Sequence, residues 1–214
     1  IKNIKLKCEV IKFCIEYAEQ EEFYKEPLEK LEEAFRELKE CKALKDAIAV
    51  ILTLGNILNG GDKNKGQADG FAIEGITKIS SIKDANGKSG IEFVCKKLIS
   101  IDPEHRHFKK GLRNLYEAKK TNLLEFVGVF NSFLALANSM KNKCKQLLSD
   151  KDDPSLNGLQ AISVKIDAYM VKLDGLNTRF INLDKEWKDL GEYFGIKKDD
   201  EKMEDTIKFF SFWA

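Results

Sequence analysis

Apolar residues recur every three or four positions along most of this chain, which is the spacing of amphipathic helices. In the first 22 residues the apolar stripe consists of Ile4, Cys8, Ile11, Ile15 and Ala18. Pro27 suits the first turn of a second helix, whose stripe consists of Leu28, Leu31, Phe35 and Leu38. The pattern therefore predicts two successive helices before residue 40.

Residues 44–58 form a third apolar stretch that is bulkier on all sides, which predicts a central, well-buried helix. Glycine and asparagine then interrupt the pattern. Gly60 and Gly61 are expected to end the helix in the left-handed conformation, which glycine adopts at little steric cost. Asp69 and Gly70 signal a further turn. A short helix is predicted around Phe71, Ile73, Ile76 and Ile79, followed by a polar connector and a helix over residues 91–100.

The second half of the chain predicts two long helices joined by a short hinge. Residues 104–149 read as one helix, and residues 150–154 as the hinge. The seam that follows has coiled-coil spacing and consists of Leu159, Ile162, Ile166, Tyr169, Leu173, Leu176, Phe180, Leu183, Trp187, Leu190 and Phe194. At about 1.5 Å per residue this seam is about 54 Å long. We therefore expect it to pack on residues 104–149 as an antiparallel hairpin.

These elements predict an all-α fold. A helical head is expected over residues 1–100, a long antiparallel, coiled-coil-like hairpin over 104–195, and a truncated terminal helix over 203–214 that carries Phe209, Phe210, Phe212 and Trp213. The chain begins with Ile and shows no signal-peptide pattern, so we expect a fragment of a longer protein. Without an uninterrupted run of about 18 apolar residues, no membrane span is expected.

Composition narrows the class of protein. Hydrophobic residues make up 43% and charged residues 33%, which is typical of a globular domain. A net charge of +1 argues against nucleic-acid binding. Charge is nevertheless uneven, because residues 78–97 contain five lysines and two acids, whereas residues 183–206 contain nine acids and five lysines. The five cysteines are widely spaced, which predicts packed, reduced thiols in a reducing compartment.

The glycine-rich loop after residue 58 does not match the common ligand-binding motifs. Gly61 and Gly66 have the spacing of a phosphate-binding loop, but Gln67 and Ala68 stand where the lysine and hydroxyl residue belong. A calcium loop fits no better, because Ile73 occupies the position of its bidentate glutamate. Neither a nucleotide nor calcium is therefore expected.

The titratable residues also give no catalytic or metal-binding set. His105 and His107 lie two residues apart, so on a helix they point in different directions, and we expect them at a surface helix start. The carboxylates are spread over Lys/Glu helix surfaces. We therefore predict that the chain is not an enzyme and has no catalytic residues, no metal and no cofactor.

The loop does resemble the formin homology 2 domain. The family pattern GNxxN, followed by a short variable loop and G-x-A-x-G-F, is matched by residues 55–60 and 66–71. Residues 81–84 match the next family motif, with Ser81 replacing an acidic residue. Upstream, residues 6–8 and Phe13 match the family's RLxC…F helix, with Lys5 in the place of the arginine. The aromatic pattern at residues 209–212 matches the family's C-terminal part.

The resemblance implies a function and a set of site residues. Formins nucleate actin filaments and stay on the barbed end as head-to-tail homodimers, in which each subunit's lasso encircles the other's post. The matched residues imply a formin homology 2-like coiled coil and post, without lasso, linker or knob, and a location at the cytoplasmic actin cytoskeleton. Lys83 is implied to contact actin, with Lys5 a weaker candidate. The lasso is implied to bind Gly55, Asn56, Asn59, Gly60, Gly66, Gly70 and Phe71.

A second class of function stays open from the sequence. The long hairpin also suits a helical scaffold or spacer that binds another protein without any actin activity. The scaffold interpretation leaves unexplained why GNxxNG and GQADGF occur together in one loop. We therefore favour the actin-assembly interpretation.

Overall fold

The computed structural model describes residues 2–60, 62, 67–71, 75–196 and 205–213. Within these ranges every regular element is helical, and the only β-type pairing is an isolated bridge between Lys83 and Ser89. The helices are α1 (Ile4–Glu40), α2 (Lys42–Leu58), α3 (Gly75–Ile79), α4 (Gly90–Ile101), α5 (Leu115–Ala118), α6 (Leu123–Leu148), α7 (Leu156–Tyr193) and α8 (Thr206–Trp213). A 3-10 helix, Pro103–Gly111, lies between α4 and α5. The predicted all-α class is confirmed.

The chain forms two compact units. The bundle unit comprises Ile1–Lys30 and Thr121–Lys185, and the loop unit comprises Leu31–Lys120 and Glu186–Ala214. This grouping differs from the predicted division into residues 1–100 and 104–195, because the first thirty residues group with the hairpin.

The bundle unit contains the predicted antiparallel hairpin of α6 and α7. The rings of Phe130 and Phe180 lie 4.5 Å apart, and the Cys144 thiol donates to the Leu159 carbonyl at 3.8 Å near the turn. Nine of the eleven predicted seam positions are buried, namely Leu159, Ile166, Leu173, Leu176, Phe180, Leu183, Trp187, Leu190 and Phe194. The seam is therefore confirmed as the packing face of α7.

The N-terminal part of α1 adds a third helix to this bundle. Its Tyr17 ring stacks on Tyr169 of α7 with centroids 3.8 Å apart, and its Tyr24 ring meets Phe130 of α6 edge-on at 5.3 Å. The Lys7 ammonium lies 2.6 Å from the Asp153 carboxylate in the α6–α7 turn, and both side chains are buried. Sequence periodicity predicted the hairpin but not this third helix.

The predicted helix break at Pro27 is wrong, because α1 is one helix of 37 residues with Pro27 inside it. A proline inside a helix costs about 3 kcal/mol through its missing N–H and ring clash. On either side of it Tyr24 and Leu28 are buried, as are Leu31, Phe35 and Leu38 of the predicted stripe. Continuous packing on both sides offsets the local cost.

The predicted apolar stripe at the start of α1 faces outward. Ile4, Ile11 and Ile15 are 51%, 43% and 73% exposed, and Cys8 and Ala18 are exposed as well. The buried positions are instead Lys7, Val10, Phe13 and Tyr17. Two apolar rows run along this part of the helix, and packing against α6 and α7 selects the row with the aromatic residues.

Three further expectations need correction. Residues 104–149 are not one helix, because the 3-10 helix and α5 come first and Asn122 caps α6 by accepting from the Glu125 N–H. Helix α2 is not buried all round, since Ile57 and Leu58 are exposed. Cys8 and Cys95 are exposed rather than packed.

Among the described residues, α6 alone is long and apolar enough to cross a membrane by length and composition. Its apolar side chains lie in the bundle core at helical spacing: Leu123, Phe126, Phe130, Phe133, Ala137, Met140, Cys144 and Leu147 are buried. This is the pattern of a core helix. The absence of a membrane span stays a prediction.

The loop unit has two apolar clusters. In one, the Phe35 ring of α1 lies 5.5 Å from Phe210 of α8 and 6.0 Å from Trp187 of α7. The other joins α2, α3 and α4 through Ile51, Ile79, Val94 and Leu98. The second cluster fixes α2 relative to the short elements that follow the glycine-rich loop.

Candidate functional site

One side chain of α2, that of Asn56, holds the glycine-rich loop through two hydrogen bonds, here called the clasp. The Asn56 amide donates to the Ala68 carbonyl at 2.9 Å, and its oxygen accepts from the Ala68 N–H at 2.9 Å. The backbone N–H and carbonyl groups of Ala68, which lies outside any helix, are thus both paired by the Asn56 side chain. Asn56 thereby holds the loop against α2, and its predicted contact with the lasso stays a prediction.

The clasp lies beside a small cavity of about 120 Å³ that is lined by Ile51, Leu52, Gly55, Asn56, Asn59, Ala68, Gly70, Phe71, Gly75 and Ile79. Among the described residues, a Cβ atom added at Gly55 or Gly70 would meet no atom within 4 Å. These two glycines are therefore not required by packing against the part of the chain that the structure describes. They leave open space next to the cavity.

The other loop residues of the prediction have a different backbone conformation from the one expected or lie outside the described residues. Gly60 does not adopt the left-handed conformation predicted for it, because α2 already ends at Asn59 with φ −94° and ψ 5°. Gly61, Gly66 and Ile73 lie outside the described residues. The predicted left-handed helix end is thus wrong for Gly60.

A larger groove borders the same loop and shares Leu52, Gly70 and Phe71 with the small cavity. This aromatic groove has a volume of about 590 Å³ and is lined by Ile48, Leu52, Asp69, Gly70, Phe71, Ile76, Glu192, Tyr193, Phe194, Gly195 and Trp213. The Trp213 Nε1 atom is buried and has no hydrogen-bond partner among the described residues. A groove with apolar walls and an unused donor suits an apolar segment that brings a carbonyl oxygen.

Lys83 lies at the start of a tight turn and is exposed. The Asp84 carboxylate accepts from the Asn86 and Lys88 N–H groups at 2.8 and 2.9 Å, and Gly87 takes φ +79°. The backbone hydrogen bond from Lys88, followed by that from Asn86, holds the pKa of the Asp84 carboxyl below its usual range. The turn therefore fixes the backbone from which the Lys83 side chain extends.

Sequence reasoning missed the residues that join this turn to α4. Ser89 caps α4 by accepting from the Glu92 N–H at 3.2 Å, and a serine with a glutamate three residues later is a recognisable helix start. Gly90 follows, where a Cβ atom would lie 2.6 Å from the Ile79 carbonyl oxygen. Close packing between α3 and α4 thus requires glycine at this position.

The two histidines do not share a site. His105 is buried and its Nε2 lies 2.7 Å from an Asp46 oxygen of α2, whereas His107 is exposed. The predicted surface position is therefore wrong for His105, which ties the 3-10 helix to α2. Over the described residues no group of three or more His, Cys, Asp or Glu side chains could hold a metal ion.

Lys5, the second predicted actin contact, belongs to the bundle unit. It is exposed on α1, one helical turn before Glu9. The structure thus brings together Gly55, Asn56, Asn59, Gly70 and Phe71 around one cavity, and Lys5 is not part of that group.

The whole chain, residues 1–214, matches the model of the Formin Homology 2 Domain. The chain belongs to the formin homology 2 family. Formin-G of Dictyostelium discoideum is 26% identical over 93% of the chain, and Protein diaphanous of Drosophila melanogaster is 24% identical over 96%. Human Formin-1 is 25% identical over 84% of the chain. The chain spans 18%, 19% and 13% of the lengths of these three formins.

Proposed function

We propose that this formin homology 2 chain is part of an actin-assembly factor that nucleates filaments and elongates them at the barbed end. It acts as a binding module, without catalytic residues or cofactor, at the cytoplasmic actin cytoskeleton. Its partners are actin and a second formin subunit. Family membership supports this proposal, and the observation that carries it is the open, clasped loop on α2.

The second subunit is proposed to bind along the glycine-rich loop. An extended arm of the partner, the lasso, would run past Gly55, Asn56, Asn59, Gly60, Gly66, Gly70 and Phe71. Gly55 and Gly70 leave room for a backbone to approach closely. The aromatic groove of about 590 Å³ is large enough for a bulky side chain of that arm. A pocket that is formed before the partner binds loses little conformational entropy on binding.

Lys83 is proposed to contact actin, and Lys5 is a second, weaker candidate. Both side chains are exposed, so a partner can reach them without rearrangement of the chain. An exposed ion pair contributes only about 0–1 kcal/mol. Its larger effects are expected on the association rate and on salt dependence.

The loop proposal is tested with matched glycine substitutions in the full-length protein. Gly55→Trp fills the open space at the proposed interface, whereas Gly55→Ala adds only a methyl group where nothing lies within 4 Å. Gly128→Trp is the control, because Gly128 is an exposed helical glycine of the bundle unit with equally open surroundings. Subunit association is measured by sedimentation, and actin assembly by fluorescence of labelled actin.

We expect Gly55→Trp to weaken dimerisation by at least tenfold and to reduce actin nucleation. Gly55→Ala and Gly128→Trp should behave as the wild type. Wild-type dimerisation and nucleation by the Gly55→Trp variant would contradict the loop proposal. A wild-type protein that neither binds nor assembles actin would contradict the actin proposal and favour the helical scaffold.

The Lys83 contact has its own test. Lys83→Asp should slow actin assembly most strongly at low salt, because the lost attraction is screened at high salt. The fold should be unchanged, since Lys83 is exposed and forms no ion pair with a described residue. Equal assembly rates for Lys83→Asp and wild type at every salt concentration would remove Lys83 from the proposed interface.

A further inference from the structure

We infer that a second groove on α2, separate from the aromatic groove, docks an apolar side chain of an actin subunit flanked by carboxylates. This inference rests on the proposed function and extends the single contact at Lys83. The groove, here called the lysine groove, has a volume of about 350 Å³. It is lined by Leu54, Leu58, Ile82, Lys83, Asp84, Lys88, Ser89, Gly90, Glu92, Phe93 and Lys96.

The walls of the lysine groove are apolar and accessible. Leu58 of α2 and Phe93 of α4 are 54% and 53% exposed, although both are large hydrophobic side chains. Leu54 and Ile82 are partly buried where they pack on the cluster that joins α2 to α4. Two exposed apolar side chains that face one shared groove differ from single exposed residues, which are ordinary on protein surfaces.

The rim of the lysine groove is positively charged. Its acidic residues are already engaged, because Glu92 pairs with Lys96 at 2.7 Å and Asp84 accepts the two backbone N–H groups of its turn. Lys83 forms no ion pair with a described residue, and Lys88 adds a second cation beside it. The complementary surface is therefore an apolar side chain with carboxylates next to it.

The lysine groove and the aromatic groove lie on different faces of α2. At about 100° per residue, Leu54 of the lysine groove and Leu52 of the aromatic groove are about 160° apart around the helix axis. A side chain bound in the aromatic groove and the partner of the lysine groove can therefore be accommodated at the same time.

An actin subunit is the occupant that fits the rest of the site. Lys83, the proposed actin contact, forms part of the rim, so the lysine groove continues the proposed interface. A screened surface charge pair alone changes affinity only a few-fold. Burying one large apolar side chain changes it by about one to two orders of magnitude. The apolar floor of the groove thus supplies the larger share of binding at this face.

The test compares two exposed apolar residues of α4 in the full-length protein. Phe93→Ala removes a wall of the groove, whereas Ile91→Ala is the control, because Ile91 is 46% exposed and does not line the groove. Leu58→Ala removes the opposite wall. We expect Phe93→Ala and Leu58→Ala each to weaken equilibrium binding to actin by about tenfold, and Ile91→Ala by less than twofold.

Two further measurements keep the outcome independent of folding defects. Lys88→Glu changes only an exposed rim residue and should weaken actin binding at low salt, with Lys88→Arg close to wild type. A photoreactive phenylalanine at position 93 should cross-link to actin in the complex, and one at position 91 should not. Dimerisation should be unchanged in all these variants, because the aromatic groove lies on the other face of α2.

The inference and the proposed function fail in different ways. If Lys83→Asp weakens actin binding while Phe93→Ala, Leu58→Ala and Lys88→Glu do not, the inference is overturned and the proposed function stands. If the wild-type protein does not bind actin, the proposed function is overturned. If the photoreactive group at position 93 cross-links to the second formin subunit instead, the assignment of the lysine groove to actin is overturned.

Discussion

The bundle unit and the loop unit use polar side chains in different ways. In the bundle unit they connect helices that are far apart in the sequence, as Lys7 and Asp153 do across 2.6 Å. In the loop unit His105 also joins distant elements through Asp46, but the irregular segments have side chains that shape nearby backbone, as Asn56 does at Ala68 and Asp84 does in its turn. The comparison indicates that packing between helices sets the geometry of the bundle unit, whereas side-chain to backbone hydrogen bonds set the geometry of the loops in the loop unit.

The largest expected effect is the loss of bundle packing. Phe180 is 2% exposed and its ring lies 4.5 Å from Phe130. Phe180→Asp should lower the free energy of unfolding by at least about 3 kcal/mol, since it removes a buried ring and buries a charge. The control is Ile181→Asp, which changes the neighbouring residue, 61% exposed, and should cost little. Equal melting temperatures of the two variants, measured by circular dichroism, would contradict burial of the seam.

A smaller effect is expected from the buried ion pair of the bundle unit. The hydrogen bond from Lys7, followed by those from Ser155, holds the pKa of the Asp153 carboxyl well below its usual range. A lowered pKa stabilises the folded state at pH values above the unfolded pKa of about 3.9. That contribution is lost as the pH falls through the lower folded value.

We therefore expect Asp153→Asn to lower the melting temperature at pH 7, because the Lys7 ammonium stays buried without its counter-ion. The difference from wild type should shrink progressively below about pH 4, because the carboxyl of the unfolded chain becomes protonated there while the folded carboxylate stays ionised to lower pH. Asp152→Asn serves as the control, since Asp152 is exposed. Melting temperatures of Asp153→Asn that stay parallel to the wild type from pH 7 to pH 2 would contradict this role.

Two glycines of the loop unit are expected to differ, because packing within the unit requires glycine at one position and not at the other. A methyl group at Gly90 would lie 2.6 Å from the Ile79 carbonyl oxygen, so Gly90→Ala should cost about 1–3 kcal/mol. At Gly55 nothing lies within 4 Å, so Gly55→Ala should stabilise α2 by up to about 1 kcal/mol. Urea unfolding of both variants tests the contrast. Destabilisation by Gly55→Ala as large as by Gly90→Ala would show that both glycines serve packing.

The sequence predicted the long-range periodic parts of the fold well and the choice between competing faces badly. The α7 seam was predicted because one apolar row has no rival over five heptads. At the start of α1 two rows compete, and the row with Ile11 and Ile15 is exposed while Val10 and Tyr17 are buried. Lys7 belongs to the buried row only because Asp153 meets it, and no local pattern reveals a partner 146 residues away.

The candidate site was predicted only in part, because local sequence patterns do not show which distant residues meet after folding. The family resemblance located the loop, and Asn56 does hydrogen-bond its irregular backbone. The aromatic groove could not be predicted, because Phe71 and Trp213 line it together only after the chain folds. The lysine groove could not be predicted from the sequence either, although the sequence does show a local excess of lysine near Lys83.

The smallest expected effect on global stability concerns the Asn56 clasp. Asn56→Ala removes two hydrogen bonds, each worth about 1 kcal/mol, from an exposed loop. Because the clasp holds only that loop, the melting temperature should hardly change, while the Ala68 amide should exchange with deuterium about tenfold faster. Asn138→Ala is the matched control: Asn138 donates to the Leu134 carbonyl at 2.9 Å, but the helical backbone bonds of α6 do not depend on it. Amide exchange in α6 should therefore stay as in the wild type. An unchanged exchange rate at Ala68 in Asn56→Ala would show that the loop keeps its shape without the clasp, and that polar side chains do not set its geometry.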